Sequence, residues 1–229
     1  MVADPLGFEM FDSRNIHSTV SLSENCQSDE ARRSRDYFAI AKRAFDIVAS
    51  LLLLPTLVAA TIFFLVTNPF MNKGKLLFAQ IRMGRDCKAF IAYKFRSMSE
   101  VGKITRGADD PLEIDRISRL GNLMRRSRVD ELPQLINVLK GDMSLIGPRP
   151  DYFHHARKYV RSVPGYRDRH AVRPGISGLA QTELGYVEGA EATAAKVRAD
   201  IHYINNASLK MDVWIFYRTV LIVFGRKGA

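Results

Sequence analysis

The stretch Ile47–Val66, IVASLLLLPTLVAATIFFLV, carries no charge over 20 residues and has a proline, Pro55, near its middle. As a helix it reaches roughly 30 Å, just enough to cross the hydrocarbon of a bilayer. A chain with such a segment must hide it in lipid or against a large core. Pro55 removes one helical hydrogen bond, and its ring clashes with the carbonyl of Leu51. Both flanks are basic: Arg32, Arg33, Arg35, Lys42 and Arg43 come before, and Lys73, Lys75, Arg82 and Arg85 come after. Lys/Arg-rich flanks stay on the cytoplasmic side, so a single pass would satisfy only one of them. Both are satisfied if the helix enters the membrane, bends at Pro55 and returns to the same face. A kinked transmembrane helix is the competing reading, and a buried core helix fits least.

The rest of the chain divides around this segment. Residues 1–36 are polar, without hydrophobic periodicity, and read as a disordered tail with no secretory signal peptide. Residues 37–72 are expected to form the membrane helix, and 73–229 a domain on its cytoplasmic side. Cys26 and Cys87 lack metal or redox spacing, which fits a reducing compartment. The net charge of +10 favours anionic partners: nucleic acid, acidic lipid or phosphorylated substrates. Charge alone permits nucleic acid, but no recognisable binding module is present and 20 residues are given to an apolar segment, so that class is set aside. Near the C-terminus Val213, Phe216, Tyr217, Val220, Leu221 and Phe224 recur at helical spacing beside Trp214. That face suits a membrane interface or a core.

The chemistry concentrates in Asp130–Pro150, DELPQLINVLKGDMSLIGPRP. Pro133 suits a first helical turn, Leu132, Leu135, Ile136 and Leu139 follow helical spacing, and Gly141 can close the helix in a left-handed conformation. Asp130 and Glu131 then sit at the positive end of the helix dipole, which favours their ionised forms. Adjacent carboxylates with substrate phosphates suit Mg²⁺. An N-cap beside a solvated acid is the plainer reading of Asp-Glu alone. Pro148 and Pro150 stiffen the turn around Arg149, whose guanidinium can grip a phosphate bidentately. Leu76–Met98 reads as two strands around Gly84-Arg85-Asp86, with Lys94 and Arg96 of YKFRSM on one face and Tyr93 and Phe95 on the other. Asp115–Arg128 reads as a basic helix carrying Arg116, Arg119, Arg125, Arg126 and Arg128, of which Arg128 stands nearest the acids in sequence. RPGISGLAQ, beginning at Arg173, reads as a tight turn, and Glu188–Asn206 as a helix.

These motifs resemble the bacterial sugar transferases, small monotopic polyprenyl-phosphate phosphoglycosyl transferases of the exopolysaccharide-initiating type. The resemblance runs from about Lys42 to Val223 and rests on KRAFDIV, YKFRSM, DELPQLINVLKGDMSLIGPRP and RPGISGLAQ. It implies an α+β fold: a mostly helical small membrane-associated domain with a short β-hairpin, amphipathic interfacial helices and an N-terminal re-entrant helix broken at Pro55. It implies that Asp130 is the nucleophile and Glu131 its partner at Mg²⁺ or in proton handling. Lys94, Arg96, Arg128, Pro148, Arg149, Pro150 and Arg173 are then expected on the substrate side. The implied reaction moves a sugar-1-phosphate from a UDP-sugar to polyprenyl (undecaprenyl) phosphate and releases UMP. The implied setting is the inner leaflet of the bacterial cytoplasmic membrane, with the domain facing the cytoplasm, and a homo-oligomer is compatible with it. Members commonly carry serine before the proline, where this chain has Leu54. That departure weakens the expectation of re-entry. A catalytically inactive scaffold or regulator of polysaccharide synthesis is the alternative.

Overall fold

The computed structural model describes residues 29–71, 74–99, 113–184 and 190–225. Helix α1 (Asp29–Met71) is followed by an antiparallel hairpin of β1 (Leu77–Met83) and β2 (Ala89–Phe95), then by helices α2 (Arg119–Arg126) and α3 (Gln134–Lys140). Strand β3 (Ser144–Ile146), α4 (Phe153–Ser162), β4 (Gly175–Ser177), α5 (Leu179–Glu183), α6 (Ala190–Asn206) and α7 (Leu209–Phe224) complete the chain. The architecture is mostly helical with two small sheets, in line with the α+β expectation. The tail expected over 1–36 lies outside the described residues as far as residue 28, and from Asp29 the chain is helical.

Helix α1 is assigned as one continuous helix through Pro55 and Pro69. The break expected at Pro55 is therefore not an interruption of the helix. One stripe of α1 faces the domain: Asp46, Ser50, Leu57, Phe64 and Asn68 are buried and Leu54 half-buried. The opposite face exposes Leu51, Leu52, Val58, Ile62, Phe63, Leu65, Val66 and Phe70. Leu57 and Phe64 share a core with Phe95, Leu120, Met124 and Leu135, and the Phe64 and Phe95 rings lie 5.1 Å apart. The apolar helix is thus lipid-like on one side and part of the domain core on the other.

Polar contacts fix the N-terminal half of that stripe. Arg43 Nη1 donates to Val138 O at 2.7 Å, which also accepts from the Gly141 amide, and Nη2 donates to Leu139 O at 3.2 Å, at the end of α3. Asp46 Oδ1 accepts from the Leu145 amide at 3.0 Å, and Lys42 Nζ pairs with Asp212 Oδ2 at 2.6 Å. These contacts give KRAFD a structural task, docking α1 on the domain.

A second sheet was not anticipated. Strand β3 pairs in parallel with β4, Ser144 against Gly175 and Ile146 against Ser177. RPGISG therefore contributes a strand where a turn alone was expected. The pairing is tight because Gly147, Gly175 and Gly178 stack backbone on backbone: a Cβ at Gly175 would lie 2.2 Å from the Gly147 nitrogen and 2.4 Å from Ser177 O. On α7, Met211 and Ile215 enter a core with Ile146, Leu179 and Tyr203, while Val213, Phe216, Tyr217 and Leu221 point outward. The face named from the sequence is thus the outward one, and the core face is carried by Met211 and Ile215.

Candidate active site

Asp130 and Glu131 lie on a single 3-10 turn, Val129–Glu131, that runs through Pro133 into α3, and both are buried. Arg128 precedes the turn in the left-handed region at φ 53°. Helix α3 ends at Gly141 with φ 92°, as the glycine predicted. Asn137, fully buried on α3, accepts from the Tyr93 amide at 3.1 Å and donates to Ile91 O at 2.7 Å. It stitches α3 to β2 and so holds Lys94, the residue after Tyr93, against the acids.

The two carboxylates have different surroundings. Glu131 is gripped by Arg149: Nη1 donates to Oε2 at 3.1 Å and Nη2 to Oε1. Arg128 Nη1 stands 3.8 Å from Glu131 Oε2. Burial would push Glu131 up, but Arg149, with Arg128 and Lys94 behind it, holds the carboxyl down at about 2. Asp130 accepts no hydrogen bond from a described residue. Burial and the neighbouring Glu131 charge push it up to about 6, against the pull of Lys94, Arg149 and Arg125. Lys94 is half-buried over the Phe78 ring, 5.4 Å from its centroid. Desolvation and the Arg82 charge bring it down to about 8.

The fold thus gathers Asp130, Glu131, Lys94, Arg128 and Arg149. Arg96 is buried at the end of β2, where its amide donates to Leu76 O at 2.8 Å. Pro148 and Pro150 are buried, and their carbonyls accept from the Gly175 amide and from Arg82 Nη1. They shape the turn and do not present a surface. Arg173 is not brought to the acids: its Nε donates to Gly141 O at 2.9 Å. That places it at the far end of α3, seven residues or about 10 Å of helix from the start. Arg125, passed over for Arg128 on sequence proximity, is a cation whose charge reaches Asp130, whereas Arg128 acts on Glu131. Its signal was its place one helical turn further back on the same basic run.

Among the described residues no group of three or more His, Cys, Asp or Glu comes together. A metal here has two adjacent carboxylates at most. Each Glu131 oxygen that accepts from Arg149 retains a second lone pair, and the Asp130 oxygens accept from no described residue. This sparse oxygen set fits Mg²⁺, which takes one or two carboxylates and completes its shell with water and substrate phosphate. It does not fit a structural zinc site, which needs four protein ligands.

A buried carboxylate that accepts from no described residue, with cations around it and a second, immobilised acid beside it, suits the handling of an anionic phosphate group. The chain belongs to the bacterial sugar transferase family, whose sequence model matches residues 37–226. It is 40% identical over 193 residues to a UDP-N-acetylgalactosamine-undecaprenyl-phosphate N-acetylgalactosaminephosphotransferase of Aeromonas hydrophila, covering 84% of this chain and 45% of that protein. It is 40% identical over 192 residues to the exopolysaccharide production protein PSS of Rhizobium leguminosarum bv. phaseoli, covering 80% of this chain and 94% of that protein. A UDP-glucose:undecaprenyl-phosphate glucose-1-phosphate transferase of Escherichia coli K12 is 38% identical over 200 residues, covering 83% of this chain and 41% of that protein. The chain spans less than half the length of the Aeromonas and E. coli relatives and nearly all of the Rhizobium one.

Proposed function

We propose that this chain transfers a sugar-1-phosphate from a UDP-sugar to undecaprenyl phosphate, releasing UMP, as a membrane step of exopolysaccharide or glycan synthesis. The observation that carries this reading is the contrast between Asp130 and Glu131: one acid is buried among Lys94, Arg125 and Arg149 and accepts from no described residue, and the other is locked by Arg149. The relatives' names supply the substrate classes.

In this reading a carboxylate oxygen of Asp130 attacks the sugar-bearing phosphorus of the UDP-sugar. The phosphoanhydride bond breaks, its electrons leave with UMP, and the sugar phosphate stays on Asp130 as an acyl phosphate. A phosphate oxygen of undecaprenyl phosphate then attacks the same phosphorus and returns the Asp130 carboxylate. Lys94, Arg125 and Arg149 offset the charge on the transferring group in place and without reorganisation. Glu131 stays ionised and holds Arg149 in orientation. Asp130 and Glu131 would hold Mg²⁺, which supplies charge neutralisation on the phosphate oxygens when bound.

The topology that best suits this function is monotopic, entered from the cytoplasmic face of the inner membrane. Both halves of α1 dock on one domain: Arg43 and Asp46 reach α3 and β3 before Pro55, and Phe64 reaches Phe95 after it. A helix crossing the bilayer would carry one of these halves away from the domain. Helix α1 in this reading dips into one leaflet with its outward stripe as one continuous helix, where the sequence suggested a break at Pro55.

The test uses a UDP-sugar panel with undecaprenyl phosphate and radiolabel on the sugar. UMP release, with label trapped on the parent chain but not on Asp130→Asn, is the expected result, and chelation of Mg²⁺ stops turnover. An Asp130→Asn chain that still turns over sinks the mechanism. A parent chain that releases no UMP from any UDP-sugar favours the inactive scaffold.

A further inference from the structure

We propose that Arg169, which lies outside every motif read from the sequence, is a positioning residue for Arg149 and acts by holding the Arg149 carbonyl. The inference rests on the roles given to Glu131 and Arg149 above. Pro148 and Pro150 contribute no N–H, so the turn around Arg149 cannot be held as an ordinary strand. Its carbonyls are instead taken one after another by groups from elsewhere. Pro148 O accepts from the Gly175 amide at 2.9 Å, Pro150 O from Arg82 Nη1, and Asp151 O from the Met83 amide at 3.1 Å. Arg149 O accepts from Arg169 Nη2 at 2.8 Å.

Arg169 is itself fixed from several sides. It is 1% exposed. Nη1 bonds Asp151 Oδ2, Nη2 stands 2.7 Å from Asp200 Oδ2, and the guanidinium lies 5.0 Å from the Tyr166 ring centroid. Asp151 also takes the Lys196 ammonium at 2.8 Å and the Tyr166 hydroxyl at 2.7 Å. Two cations and two carboxylates are therefore set at the base of the turn, with Lys196 and Asp200 contributed by α6. Such buried ion pairs are weak evidence for stability, since apolar side chains of the same volume often serve as well. Their value here is directional. The bidentate grip of Arg149 on Glu131 tolerates little angular error, and supporting groups of this kind are what keep a site within that tolerance.

The test compares the parent with Arg169→Lys and with the paired change Arg169→Met and Asp200→Leu. A single ammonium cannot reach Asp151, Asp200 and Arg149 O together, yet it keeps the buried charge balanced. The paired change removes both charges and leaves Asp151 with Lys196 and Tyr166. Each variant is expected to melt within a few degrees of the parent while kcat falls about tenfold or more and KM for the UDP-sugar changes less than about threefold. Parent kcat in either folded variant, or a loss that merely tracks the folded fraction, overturns the proposal. Should neither fold, amide exchange in Asp200→Asn decides it: faster exchange at the Arg149, Asp151 and Tyr152 amides supports positioning, and unchanged exchange refutes it. A parent that releases no UMP sinks the functional reading instead, and the same exchange comparison with Arg169→Lys then decides this one.

Discussion

Arg149 and Glu131 form a two-point grip across the site, Nη1 to Oε2 at 3.1 Å and Nη2 to Oε1, although eighteen positions separate them in the chain. The fork of the guanidinium matches the fork of the carboxylate, which a lysine cannot do. Arg149→Lys is expected to keep the charge, lose the second bond and lower kcat about 10²-fold, in line with removal of an oriented charge-stabilising group. Steady-state UMP release checks it, and a lysine variant at parent rate would remove Arg149 from the mechanism.

Lys94 is expected to set the alkaline side of the proposed activity. Burial and Arg82 bring its ammonium from the ordinary lysine value to about 8, so it loses its charge as pH rises through that value. Turnover is expected to fall above about pH 8. Lys94→Arg, which stays protonated, should extend activity to higher pH. A pH–rate profile of the two chains decides the matter: identical alkaline limbs would show that Lys94 is not the titrating group.

Gly175 is where the parallel β3–β4 pair admits no side chain. A methyl there meets the Gly147 nitrogen at 2.2 Å and Ser177 O at 2.4 Å, both backbone atoms that cannot swing away. Gly175→Ala is expected to cost about 3 kcal/mol, near the upper end for one substitution. Gly141→Ala has open space, with Arg43 Nη2 at 3.6 Å, and faces only its left-handed φ of 92°, a cost of about 1 kcal/mol. Melting temperatures measured side by side give the ranking, and equal shifts would argue against the tight glycine stack.

The docking of α1 on one domain predicts that both of its ends lie on the same membrane side. Single cysteines at Ala39 and Lys75, both exposed, should react with an impermeant thiol reagent from the cytoplasmic side of inverted vesicles. The native Cys26 and Cys87 are first replaced by serine. Labels on opposite faces would establish a crossing helix.

The sequence carried the local elements well. Pro133 and Gly141 bracketed α3, the hairpin fell between Leu76 and Met98, and both C-terminal helices were legible because caps and periodicity are local signals. Asp130, Glu131, Lys94 and Arg149, which the fold brings together, were all named from motifs. Asp115–Arg128 was over-extended, since Ser118 caps a helix only at Arg119. Three-residue strands such as β3 and β4 give no periodic pattern, so their pairing was invisible.

Residue types and short-range spacing determined which groups this protein has for chemistry and which stretch is apolar enough for a membrane. Only the tertiary structure decided their partners. It turned Arg149 onto Glu131, sent Arg173 to the opposite end of α3, put Arg125 within reach of Asp130 and placed Arg169 beneath the Pro148–Pro150 turn. The reason is physical: a guanidinium has no sequence signature for its acceptor, and the acceptor is chosen by packing between residues far apart in the chain.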